Sequence, residues 1–284
     1  MTTSSLHTAT DTTPSAPPAR RRWTARVPKP RGGGWGAAGG TLAGLVLAAV
    51  VWTLVAATGH FPAELFPSVP KIARAGRTLW SDGLLLPDIT ASLRRALLGF
   101  ALGSIAGTAA ALLTASTWAG RRLLQPVLRL LSPVPTIGLV PLAILWFGLG
   151  ENSKTLVIAL GVFVPVWINS HAGFASTPAD FLQAARCLGA GRAQTLARVV
   201  VPEALPDVAA GLRVGAAMAF VLIVVAEMTG TTAGIGYRIF QAQLFSQADR
   251  LVFCLIVLGV IGAACDLILA ASTAPLTRWA REER

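Results

Sequence analysis

The sequence predicts an all-α fold: a polytopic membrane helix bundle with about six transmembrane helices. Three observations carry this. Of 284 residues, 54% are hydrophobic and only 13% charged, about half the charge of an ordinary soluble domain. The apolar residues gather into runs of about 20, the length a helix needs to cross the hydrocarbon core. The runs lack strict two-residue alternation, which excludes barrel strands, and a helix satisfies its backbone N–H and C=O groups within one segment.

The spans follow in order. Residues 32–63 hold no Asp, Glu, Lys or Arg, and the first span is placed at 38–59. The next charge-free stretches are 96–120, 130–150 and 155–179. The fifth span, 212–231, is interrupted by Glu227, and the sixth, 251–272, by Asp266. An acid at mid-helix costs about 2.5–3.5 kcal/mol on insertion scales, so both carboxylates should face the bundle interior or lie near an interface. For Glu227, near the outer end of its span, a structural role capped by neighbouring hydrogen bonds and a gate or pathway role both remain open.

Arginine in the short loops sets the orientation. Arg20, Arg21, Arg22, Arg26, Lys29 and Arg31 precede the first span and place the N-terminus in the cytoplasm. Six spans return the C-terminus to the same side, with Arg278, Arg281 and Arg284. Arg121 and Arg122, and then Arg186, Arg192 and Arg198, fall in loops that are also cytoplasmic. The exception is the first outer loop, with Lys71, Arg74, Arg77, Arg94 and Arg95. Residues 1–35, rich in Thr, Ser, Pro, Arg and Gly, cannot bury a core and read as a disordered basic cytoplasmic tail. Residues 36–284 form the membrane domain, with a core unit at 90–275 and a cytoplasmic loop at 176–205.

Several function classes are disfavoured. The net charge of +11 sits in the tail and short loops rather than on a nucleic-acid-binding face. Cys187, Cys254 and Cys265 show no CxxC spacing, and His7, His60 and His171 stand far apart, so neither a disulfide framework nor a metal site is expected. Residues 148–155 approach a phosphate-binding loop, but Ser153 replaces its second glycine and the stretch joins two spans on the outer side. No catalytic site is expected, and no cofactor bound by this chain.

Smaller signals place the elements. Ser68 and Pro70 suit the start of an amphipathic helix lying on the membrane surface, with Val69, Ile72, Ala73, Gly76, Leu79 and Trp80 at helical spacing. Gly99, Gly103, Gly107 and Ala111 form a small-residue row in the second span, and Gly211, Gly215 and Ala219 form another in the fifth. Such rows let membrane helices approach closely. Pro126, Pro133, Pro135 and Pro141 should bend or break the third span. Pro133 and Pro135 are candidates, with Glu227, for a pathway or gate, and a merely kinked helix is the alternative.

The most informative stretch is 174–213, too long and polar for a tight turn. Thr177 suits an N-cap, Pro178 a first helical position, and Asp180 the positive helix end. Phe181, Leu182, Ala185 and Leu188 form one apolar stripe, Gly189 follows at a reversal, and a second helix runs from about 191 to 200, ended by Pro202. A cytoplasmic hairpin of this kind is either a protein-docking element or a self-packed one.

The same stretch resembles the signature of ATP-binding-cassette (ABC) importer membrane subunits, E-A-A-x3-G-x9-I-x-L-P. Gln183, Ala184, Ala185, Gly189, Val199, Val201 and Pro202 occupy its positions. Further segments are similar to the nitrate, sulfonate, taurine and bicarbonate branch: Phe66-Pro67-Ser68, Ser92-Leu93 with Arg95, Pro141-Leu142 with Trp146-Phe147-Gly148, Ser153-Lys154, Ala204 with Pro206, Gly211-Leu212-Arg213 and Val225-Ala226-Glu227. The resemblance implies a type I importer (MetI-like) fold in the bacterial inner membrane. It implies a homodimer of this chain in lipid, cytoplasmic ATPase subunits that carry ATP and Mg, and an extracytoplasmic solute-binding protein. The docking residues would be Gln183, Ala184, Ala185, Arg186, Leu188, Gly189, Ala190, Arg192 and Pro202. Gln183 departs from the family glutamate and removes the charge from that contact. The expected cargo is a small anion such as an aliphatic sulfonate, taurine or nitrate, with an aliphatic sulfonate favoured. An ion-coupled secondary transporter is the alternative, and a membrane enzyme would need a nucleophile–base or metal constellation that the sequence does not offer.

Overall fold

The computed structural model describes residues 34–58, 62 and 64–277, whose regular elements are all helical, with no strand among them. The basic tail and the arginines beyond 277 lie outside the described residues, as do His7 and His60. The order is α1 (Gly34–Ala57), α2 (Val69–Ser81), α3 (Leu85–Ser116), a π turn (Gly120–Leu124), α4 (Gln125–Leu131), a 3-10 turn (Thr136–Leu139), α5 (Val140–Phe147), α6 (Glu151–Ala175), α7 (Ala179–Cys187), α8 (Arg192–Thr195), a π turn (Leu196–Val200), α9 (Val201–Glu227), α10 (Ile235–Leu244), α11 (Ala248–Thr273) and a closing 3-10 turn (Pro275–Thr277).

Four continuous helical stretches are long and apolar enough to cross a membrane: Leu85–Ser116, Glu151–Ala175, Arg192–Glu227 and Ala248–Thr273. Residues 120–131 and 136–147 pass the same test only as a pair, bent by 91° at the intervening break, which makes them a broken span or a re-entrant loop. That break contains Pro133 and Pro135, whose rings remove N–H donors and exclude helical continuation. α1 has 24 residues and no charged side chain; the described residues hold four helices long and apolar enough to span, five with the bent pair, where the sequence predicts about six. The chain divides into two units at Ala49/Val50, within α1. In the first, Val46 and Leu47 are exposed. In the second, Trp52 stacks on Phe66 at 4.2 Å and its Nε1–H donates to the Pro67 carbonyl at 3.1 Å.

The core is α6 sandwiched between α3 and α9. The small-residue rows make this possible. A Cβ on Gly99 would fall 2.5 Å from Ile158 Cγ2, and one on Gly107 2.8 Å from the Phe163 carbonyl. On the opposite face, Gly211 would meet Asn169 at 2.9 Å and Gly215 would meet Val166 at 2.9 Å. Val157, Ile158, Val162 and Val166 of α6 fill the space between, with Ala219, Leu222 and Ile223 of α9. Gly103 is the tightest point of the α3 row, facing the Ala159 carbonyl and Val162 Cβ. Gly103→Val should therefore force α3 and α6 apart and cost at least the ~1–3 kcal/mol of ordinary overpacking. Gly259→Ala on α11, where a Cβ meets nothing within 4 Å, should leave stability unchanged. Thermal unfolding of both variants in detergent checks the pair.

Two local expectations need correction. Residues 69–81 do form a helix with Ser68 at its N-cap and Pro70 in its first turn, without a side-chain cap bond. Its apolar face does not lie free, however. Ile72, Ala75, Gly76 and Leu79 are buried, and Leu79 packs with Ile235, Ile239 and Cys254 from α10 and α11. Pro202 does not end a helix either. It sits in the first turn of α9, and Arg192–Glu227 runs as one 36-residue stretch. The preceding π turn, in which Val201 N–H donates to the Leu196 carbonyl, widens the backbone where proline lacks a donor.

Candidate coupling loop and outer charge cluster

The loop between α6 and α9 is a helical knob. Leu188 caps α7, its N–H donating to the Ala184 carbonyl at 3.1 Å and that of Ala190 donating to the Ala185 carbonyl at 3.0 Å. Gly189 makes the reversal with φ +78°, left-handed backbone that suits glycine. Thr177 does not cap α7: Pro178 occupies the N-cap position, and Thr177 Oγ1 is buried without a hydrogen-bond partner. Asp180 and Arg186 fall in the first and last turns, each complementing the helix dipole.

The apolar stripe splits into two faces. Ala185 is buried, and Leu182 is half-buried where it lines a cavity together with Leu196 and Val200. Phe181 is 51% exposed and Leu188 87% exposed, and Ala184 between them is exposed as well. The i, i+3, i+7 spacing of Phe181, Ala184 and Leu188 puts them on one helix face. Gln183, Arg186, Gly189 and Arg192 are exposed; Ala190 is half-buried. Pro202 is half-buried at the base of α9 rather than on the knob.

At the other end of the core lies a cluster that sequence reasoning did not assemble. Glu227 closes α9 at 0% exposure. Its Oε1 accepts from Arg95 Nη1 at 2.7 Å, and its Oε2 accepts from Ser92 Oγ at 2.8 Å and from the Gly236 N–H at 2.9 Å. Arg95 also grips Glu151 through Nε at 2.6 Å and Nη2 at 2.7 Å, and donates from Nη1 to the Ala233 carbonyl at 2.8 Å. Asp88 accepts from the Gly234 N–H at 2.8 Å and from Arg238 Nε. Lys154 Nζ donates to the carbonyls of Leu149 at 3.1 Å and Gly230 at 3.2 Å. The amine of the loop resembling a phosphate site is thus occupied by backbone. Five elements meet here: α3, the first turn of α6, the end of α9, the 228–234 loop and α10.

The capping expected for Glu227 is present, from Ser92, Arg95 and Gly236. Sequence reasoning placed Arg95 near the outer mouth but not on Glu227, because 132 residues separate them. The usable signal was that a buried acid requires a cation. Asp266 behaves differently. It pairs with Arg213 at 2.8 Å on the chain's surface, with side chains 42% and 51% exposed. Arg213, inside the fifth span, supplies the partner. Pro133 and Pro135 lie at the break before α5, away from Glu227 in sequence; their part in a pathway is left to the proposal below.

Comparison with known proteins decides the family. The model for the binding-protein-dependent transport system inner membrane component matches residues 99–281. The chain belongs to this family. It is 34% identical to the putative aliphatic sulfonates transport permease protein SsuC of Bacillus subtilis (84% of this chain, 88% of the relative). It is also 34% identical to the taurine transport system permease protein TauC of Escherichia coli (84% and 88%) and 31% identical to the E. coli SsuC protein (81% and 87%). Among solved structures, a chain of the inward-facing MetNI methionine ABC transporter superposes with TM-score 0.57 at 17% identity, covering 68% of this chain and 96% of that one. An amino acid ABC transporter gives TM-score 0.55 at 18% identity (71% and 96%). The MetI-like fold, the multi-pass inner-membrane location and the ABC permease assignment follow. As a permease subunit the chain is a transport component, not a catalyst.

Proposed function

We propose that this permease carries a small organic anion of the aliphatic sulfonate or taurine class inward, driven by a separate ATPase subunit docked on the 183–202 loop. ATP and Mg belong to that partner. An extracytoplasmic binding protein delivers the solute, two copies of this chain form the path in lipid, and both termini lie in the cytoplasm. Pro133 and Pro135, at the broken third span, and Glu227 are the candidate pathway or gate positions in this reading. The names of the sulfonate and taurine relatives support the cargo.

One observation carries the docking role: an exposed Phe181–Ala184–Leu188 face on a helix that its own chain covers from behind. A self-packed hairpin would bury its largest apolar groups; this one buries Ala185, half-buries Leu182 and presents Phe181 and Leu188. Recognition by an amphipathic helix in a groove has this form. The neutral Gln183 leaves apolar contact and shape, rather than an ion pair, as the main source of affinity.

Gly189 provides the test. A Cβ there meets nothing within 4 Å in this chain, while φ is +78°. Gly189→Ala pays only the left-handed backbone strain of about 1–2 kcal/mol and should keep much of the uptake. Gly189→Trp has the same strain and a Cβ in open space, yet should abolish ATP-driven uptake in proteoliposomes holding ATPase and binding protein, with membrane insertion intact. Normal uptake by the Trp variant contradicts docking at this loop. Uptake by the purified chain alone, without ATP, would favour an ion-coupled carrier.

A further inference from the structure

A cavity of 520 Å³ lies where the core meets the knob. Its walls come from the C-terminal ends of α3 and α6, the π turn and α4, the residues before α7, and the π turn before α9. Arg121, Gln125, Arg129, His171 and Thr177 line it together with an apolar wall of Leu112, Leu196 and Val200, and no acidic residue does. His171 is fixed, with Thr114 Oγ1 at 2.9 Å on Nδ1 and the Gln125 side chain at 3.0 Å on Nε2. Arg121 donates once, to the Ala115 carbonyl at 3.2 Å. Neither it nor Arg129 forms an ion pair among the described residues. Thr177 Oγ1 is buried with no partner.

We infer that this cavity binds a tetrahedral oxyanion bearing a short apolar substituent, a sulfonate or phosphate ester. The charge balance decides the sign of the ligand. Two helix C-termini contribute roughly −0.5 each, against two full guanidinium charges, so the cavity is net positive. Guanidinium forks match sulfonate and phosphate oxygens geometrically. The unpartnered hydroxyl of Thr177 gains an acceptor when such a group arrives, and the leucine and valine wall accommodates the substituent. An occupant would bridge the α4 side of the bundle and Thr177, two residues before α7. A free organic anion and a phospholipid headgroup share this chemistry.

The full complex with its ATPase, in zwitterionic nanodiscs, is titrated with methanesulfonate by calorimetry. In parallel, phosphatidylglycerol retained from mixed nanodiscs is counted by native mass spectrometry. The variants are Arg121→Gln/Arg129→Gln and the near-isosteric Thr177→Val, the latter guarding against loss of fold in the former. The expected result is binding that weakens about tenfold or more in both variants. Loss in the methanesulfonate arm identifies a free anion, and loss in the lipid arm a headgroup. Equal binding by wild type and variants in both arms, or no binding to the wild type in either, overturns the inference. The complex rests on the proposed docking, but neither readout involves transport, so failure to bind the anion is distinguishable from failure to bind the ATPase.

Discussion

Leu188→Asp should uncouple the permease from its ATPase while leaving the permease folded. Leu188 is 87% exposed, so nothing in this chain loses packing when it changes. In the docked state the same side chain would be buried, and full burial of a leucine contributes about 1.5–3 kcal/mol. Losing that, and placing a carboxylate in an apolar contact, should weaken docking by about tenfold to a hundredfold or more. Phe181→Asp, one turn pair away on the same face, should act alike, whereas Leu188→Ile should keep most of the affinity. Co-purification of the ATPase and the melting temperature of the permease read the two effects separately. A Leu188→Asp variant that retains its partner at wild-type stoichiometry and affinity would place the contact elsewhere.

The helices of the core were legible because their cause is local. A charge-free run of 20 or so residues admits few structures in lipid, and a glycine every fourth residue marks the face that meets a neighbour; α3, α6 and α9 follow those rules. The break at Pro133 and Pro135 was equally local. Boundaries were less legible: α3 begins at Leu85 rather than 96 and α9 continues an unbroken helix from Arg192, because charged first turns beyond the membrane look like loop. The knob was legible in position but not in polarity. Phe181, Leu182, Ala185 and Leu188 count as one stripe by composition, and only the burial of Ala185 and half-burial of Leu182 in the folded chain show which of them remain uncovered. The Arg95 cluster was not legible, since its members come from five distant segments and each satisfies its own local pattern.

Glu227→Ala should be the most damaging single change to the fold. It removes the acceptor for Ser92, Arg95 and Gly236 at a site with 0% exposure, and breaking a buried pair costs about 3–5 kcal/mol. Against a total stability of about 5–15 kcal/mol for a typical domain, that is a large share. A Cβ on Gly234 would collide with the Glu227 carboxylate, so the 228–234 loop is fitted around that group and should loosen when it is lost. Glu227→Gln keeps the shape and one acceptor, and should fall between wild type and Ala. Fluorescence-detected size exclusion after heating gives the order. An Ala variant as stable as the wild type would contradict a structural role. A Gln variant that is fully stable but has lost uptake would move Glu227 into the transport step instead.

The central claim is that α7 stands in the cytosol and is covered by another protein. Cys187, exposed at the end of α7, reports on both halves of it in a background carrying Cys254→Ala and Cys265→Ala. A membrane-impermeant maleimide should label Cys187 in inside-out vesicles and not in right-side-out ones, and added ATPase subunit should protect it. Labelling from the outer side, or labelling at the same rate with and without a bound ATPase, would contradict the account.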